Sequence, residues 1–128
     1  MINIVDDILL ITGAIIIFLW GIAHIIPIKS IVRNFGDISS DNKKIIIMEW
    51  IAEGFTLCFI GALTLLVTVF IGTGDPVIKI IFWACAGVLI AMAILTVFTG
   101  ARTTIIPIKI CPIVKLIVAI LFIVATFI

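Results

Sequence analysis

A chain of 128 residues that is 65% hydrophobic and 12% charged carries more apolar surface than a soluble domain of this size can bury. Its mean hydropathy of +1.55 points to lipid as the solvent. A net charge of +1 with no dense cluster of Lys and Arg excludes nucleic acid as a partner.

Four apolar runs, near 8–28, 45–71, 77–99 and 111–128, each approach the roughly 20 helical residues that a hydrocarbon core requires. They are continuous rather than alternating, which predicts helices and not barrel strands. The expected architecture is all-α: one transmembrane domain over residues 1–128, an integral membrane four-helix bundle, multi-pass in the cell (inner) membrane. The connections are too short to hold a soluble catalytic domain. Cys58, Cys85 and Cys111 form no CxxC pair and read as buried thiols rather than a disulfide framework.

The first run is flanked by Asp6 and Asp7 instead of a basic segment, and it ends at His24 and Pro27. It therefore reads as a retained helix and not as a cleaved signal. Gly13, Ile17, Trp20 and His24 share one face of it. The segment Ile25-Ile26-Pro27-Ile28-Lys29 recurs as Ile105-Ile106-Pro107-Ile108-Lys109. Two parallel two-helix halves would give that echo, and so would chance in an isoleucine-rich chain. Ile28, Ile31, Val32 and Phe35 oppose Lys29 and Arg33, the pattern of a short interfacial helix or of a solvated loop.

Ser39, Ser40 or Asp41 is positioned to cap the second long helix. On that helix Glu49 and Glu53 stand four residues apart and share a face, and Thr56, Thr64 and Thr68 extend the stripe. Gly72-Thr73-Gly74-Asp75-Pro76 reads as a turn. The third helix carries Ala84, Gly87 and Ala91. The Gly87-x-x-x-Ala91 pair is a helix-packing surface, serving either the bundle interior or a dimer. Trp20, Trp50 and Trp83 lie near span ends and are expected to anchor at the membrane interface.

The basic residues set an orientation. Lys29, Arg33, Lys43 and Lys44 fall in the first connection, and Arg102 and Lys109 in the third, with Lys115 one turn into the fourth span. Lys79 alone falls on the opposite side, together with Asp6, Asp7 and Asp75. The positive-inside rule then places both termini on the non-cytoplasmic side.

Four ionisable groups lie within the spans: His24, Glu49, Glu53 and Lys115. A charge at a helix centre costs about 2.5–3.5 kcal/mol on insertion scales, so such groups face one another or a wet cavity. All four are expected in the cytoplasmic half of the bilayer or at its edge by helical rise. The expectation is one polar pocket. In it Glu53 is the proton-labile centre, Glu49 its partner, His24 a proton donor or acceptor, and Lys115 the countercharge. Two stacked carboxylates do not both ionise cheaply in low dielectric without such a cation. The alternative is structural: a Glu49–Lys115 ion pair near the interface, with His24 a satisfied interior donor.

Three functions fit these residues. The first is binding of a lipid-like or other small ligand at the His/Glu pocket. The second is a proton- or cation-conducting homo-oligomer with Thr56, Thr64 and Thr68 lining the path. The third is an assembly subunit without chemistry of its own, with Gly87 and Ala91 at its interface. The histidine and glutamates lack any familiar ligand spacing, so no metal site is predicted. No cofactor is indicated, and no residue is assigned a catalytic role. The mid-span glutamate that marks the first helix of small multidrug exporters is missing here, as is the Gly-rich, arginine-bearing first span of fluoride channels. His24, Glu49 and Glu53 are similar to the pocket residues of sterol-isomerase-like bundles in type alone.

Overall fold

The computed structural model describes residues 4–128, and those residues are all-helical. In chain order they form α1 (Ile4–Ile25), α2 (Ile28–Asn34), α3 (Ser40–Phe70), α4 (Pro76–Phe98), a 3-10 turn (Gly100–Arg102) and α5 (Ile106–Ala125). Four of these elements, α1, α3, α4 with its 3-10 extension, and α5, are long and apolar enough to cross a membrane.

Each long helix starts before its apolar run and ends one to three residues short of the run's end, and caps and prolines explain the starts of α3, α4 and α5. α3 begins at Ser40 because the Ser39 side chain accepts a hydrogen bond from the Asn42 N–H at 3.2 Å, satisfying a donor that the first turn leaves orphaned. Its 31 residues span about 47 Å, longer than a hydrocarbon core of about 30 Å. Asp75 caps α4 through the Val77 N–H at 2.8 Å, and Pro76 stands at the helix start, where its missing N–H costs nothing. α5 starts five residues before the fourth apolar run because Pro107 is likewise tolerated in its first turn. Pro112, deeper in α5, removes one i→i−4 hydrogen bond. α2 is a helix rather than a loop and buries Val32. Both copies of the Ile-Ile-Pro-Ile-Lys segment stand at a helix start, Pro27 at the N-cap position of α2 and Pro107 at the head of α5.

α1 packs closely on α3, α4 on α5 and α1 on α5, while α3 and α4 touch only sparsely. The four long helices thus follow one another around a ring in the order α1, α3, α4, α5, with one loosely closed seam. Leu10, Ile17, Leu57, Ile60, Phe82, Leu89, Val118 and Phe122 fill its centre. Ile, Leu, Val and Phe side chains cover the outward faces, among them Phe55, Phe59, Leu95 and Ile120.

The α1–α3 contact is a backbone contact. A Cβ added at Gly21 would lie 2.7 Å from the Gly54 carbonyl oxygen, and one added at Gly61 would lie 2.6 Å from that of Ala14. Small residues allow such an approach where apolar burial gives helices little reason to prefer one another over lipid. Gly87 and Ala91 do not play this part within the chain. Both are exposed, and nothing lies within 4 Å of a Cβ built at Gly87. Their helix turns Cys85, Ala86, Leu89 and Ala93 inward instead.

Candidate functional site

Near the end of the ring where α1 finishes and α5 begins, each of the four long helices turns one polar side chain to the centre. His24 comes from the last turn of α1, Glu53 from α3, Thr96 from α4 and Lys115 from α5. Lys115 is completely buried. Its Nζ donates to Glu53 Oε1 and, at 3.2 Å, to Thr96 Oγ1. The other carboxylate oxygen, Oε2, lies 3.3 Å from His24 Nε2. One carboxylate thus sits between an ammonium and an imidazole. Fractional exposure is 10% for the His24 side chain and 30% for that of Glu53, so the acid is the member of the trio that remains reachable.

Two indoles and a thiol hold this arrangement. Trp50 stacks on the His24 ring, with centroids 4.4 Å apart and planes 9° from parallel, and its N–H donates to the His24 carbonyl. The Trp20 N–H donates to Cys111 Sγ at 3.4 Å. A Cys58 thiol bond to the Phe18 carbonyl, at 3.6 Å, further ties α1 to α3. Trp20 and Trp50 thus spend their N–H groups on protein partners in neighbouring helices. Trp83 does the same at the opposite end, donating to Thr126 Oγ1 at 2.8 Å. There Lys79 Nζ donates to the Thr126 carbonyl at 2.7 Å, a cation placed on the free carbonyls of a helix C-terminus.

The structure brings together three of the four ionisable groups singled out in the sequence. Glu49 is exposed and makes no ion pair or hydrogen bond among the described residues. It shares a face with Glu53, but Trp50 is already level with the end of α1, and Glu49 has no α1 side chain left to meet. The threonine stripe is divided. Thr56 Oγ1 donates to the Ala52 carbonyl and Thr68 Oγ1 to the Thr64 carbonyl, each at 2.8 Å. These are bonds to their own helix. Thr64 is fully buried, and its hydroxyl has no hydrogen-bond partner among the described residues.

Thr96, Cys111, Trp20 and Trp50 join the site without having been singled out for it. A signal was available. Trp20 precedes His24, Trp50 precedes Glu53 and Cys111 precedes Lys115, each by about one helical turn, the spacing that stacks side chains on one face. The ligating atoms of His24, Glu53 and Cys111 all lie within 4.8 Å of one another. An apolar groove between α1 and α3, lined by Ala14, Phe18, Gly61 and Leu65, includes none of these residues.

No protein-family model, no curated protein and no solved structure matches the chain. The arrangement of the four polar side chains is what a functional reading has to work from.

Proposed function

We propose that this is a multi-pass protein of the cell (inner) membrane, a four-helix bundle with both termini on the non-cytoplasmic side. We propose further that it binds a lipid-like or other small ligand at the polar centre formed by His24, Glu53 and Lys115. One observation supports the binding reading above the others. A partly exposed carboxylate is held by a buried ammonium and a nearly buried imidazole in the middle of four apolar helices. Ionisable groups at such depth mark ligand or proton sites by default.

The sparse seam between α3 and α4 supplies a lateral route for an amphipathic ligand from the bilayer. An amine or hydroxyl on that ligand would bond to the Glu53 carboxylate, and its apolar part would lie against the seam. Conduction has weaker support, because Thr56 and Thr68 turn their hydroxyls onto their own helix and not toward one another.

The test is a thermal-shift screen of the purified protein against a panel of lipids, quinones and cationic amphiphiles. A stabilising ligand whose shift disappears in Glu53→Gln and shrinks in His24→Ala supports the site. A panel that shifts wild type and both variants equally removes it.

A further inference from the structure

We infer that His24, Glu53 and Cys111 form a binding site for a transition-metal ion of the zinc type, with one coordination position left open. The inference rests on the same polar centre as the proposed pocket, but not on that pocket's organic ligand.

Three observations converge on it. The donor set is an imidazole nitrogen, a carboxylate oxygen and a thiol sulfur, drawn from α1, α3 and α5, with all three ligating atoms within 4.8 Å of one another. These are the donor types that zinc takes in tetrahedral sites. The His24 side chain is nine-tenths buried, and its Nε2, though 3.3 Å from Glu53 Oε2, makes no hydrogen bond among the described residues. A buried nitrogen that stands 3.3 Å from a carboxylate oxygen yet forms no hydrogen bond with it is placed for a cation shared between the two. The spacing also fits. Two ligands at about 2.0–2.1 Å from one tetrahedral ion stand about 3.3–3.4 Å apart, and His24 Nε2 lies 3.3 Å from Glu53 Oε2. A sulfur ligand at about 2.3 Å would stand roughly 3.6 Å from either of them, so metal uptake requires Cys111 Sγ to close by on the order of 1 Å.

The surroundings are those of a tuned metal site. Trp50 stacks on the imidazole and fixes its plane. The Trp20 N–H points at Cys111 Sγ, which stabilises a thiolate, and outer partners of this kind orient and tune ligands. Lys115 occupies Oε1 of Glu53 and leaves Oε2 to the ion. Binding exchanges the Cys111 proton, released to solvent, for the metal–sulfur bond. Thiolate and carboxylate then balance a divalent ion, and the Lys115 ammonium is the one surplus positive charge. The open position should therefore favour an anionic occupant such as hydroxide.

Cobalt(II) is the probe, because its bond to sulfur gives a ligand-to-metal charge-transfer band. Full-length protein in detergent, stripped with chelator, should take up one equivalent of cobalt with that band and release it to zinc. Cys111→Ser should abolish the band and weaken uptake by at least about tenfold, while the Cys58→Ser/Cys85→Ser variant retains both. Trp20→Phe should bind one equivalent about 10- to 100-fold more weakly, the usual consequence of losing an outer partner. The proposal is overturned if wild-type protein binds no stoichiometric cobalt, if bound cobalt shows no sulfur band, or if the band survives in Cys111→Ser. The wild-type spectrum decides the matter even if a variant fails to fold. Cobalt binding without any lipid-dependent thermal shift would discard the organic ligand and keep the metal site; a lipid shift without cobalt binding would do the reverse.

Discussion

Lys115 sets the energetics of the centre. An ammonium with no exposed surface is tolerated only because Glu53 and Thr96 accept its hydrogen bonds. Glu53→Gln keeps the shape but removes the countercharge, and should lower stability by about 1–3 kcal/mol, the range for losing a charged hydrogen-bond partner. Lys115→Met in the same background should recover most of that loss, because the stranded cation is gone. A double-mutant cycle read by chemical or thermal denaturation in detergent checks this; independent, additive losses would mean the pair does not interact. Glu49→Gln, on the exposed part of α3, should stay within about 0.5 kcal/mol of wild type in the same assay.

The helices depend on residues that a hydropathy profile ignores. The approach of α1 to α3 leaves no room for a side chain at Gly61, where a Cβ would lie 2.6 Å from the Ala14 carbonyl oxygen. Gly61→Leu should therefore cost about 1–3 kcal/mol or more through forced displacement, seen as a lowered melting temperature. Gly87→Leu meets open space and should leave monomer stability unchanged within about 0.5 kcal/mol. If it alters the elution volume in gentle detergent instead, the Gly87/Ala91 face packs against a second copy. Ser39→Ala removes the acceptor for the Asn42 N–H and should cost about 1 kcal/mol at the head of α3.

For the whole molecule, the distribution of charge and the position of the site make one connected prediction. The end of the ring that bears Lys29, Arg33, Lys43, Lys44, Arg102 and Lys109 is also the end where His24, Glu53 and Lys115 meet. If both termini lie outside, as proposed, a periplasmic-type reporter fused after Ile128 should be active and a cytoplasm-dependent fluorophore at the same place should stay dark. The opposite pattern would turn the site to the other face of the membrane. Reconstitution offers the matching functional check. Liposomes loaded with a pH-sensitive dye should show no protein-dependent flux at any pH if the centre binds and does not conduct.

Much of this was legible in the chain itself. The number and approximate extent of the long helices follow from continuous apolar runs, because a backbone in hydrocarbon has to satisfy its own hydrogen bonds whatever it packs against. That the ionisable groups within the spans would seek partners also follows, since each is costly alone in hydrocarbon, although a Glu49–Lys115 pair fitted the sequence as well as the Glu53–Lys115 pair that forms. The exclusion of Glu49 could not be read there, because it depends on where α1 ends relative to α3. Nor could the choice of Gly21 and Gly61 over Gly87 as the points of close contact. Periodicity says which residues share a face, not which neighbour that face meets. Thr96, Cys111 and the two inward indoles were decided only by the crossing of four helices, because hydrogen bonds between side chains far apart in sequence exist only once the packing has set their distances. Local chemistry dictated the elements and their apolar character; relative rotation and register of the helices, a tertiary property, brought the polar side chains together.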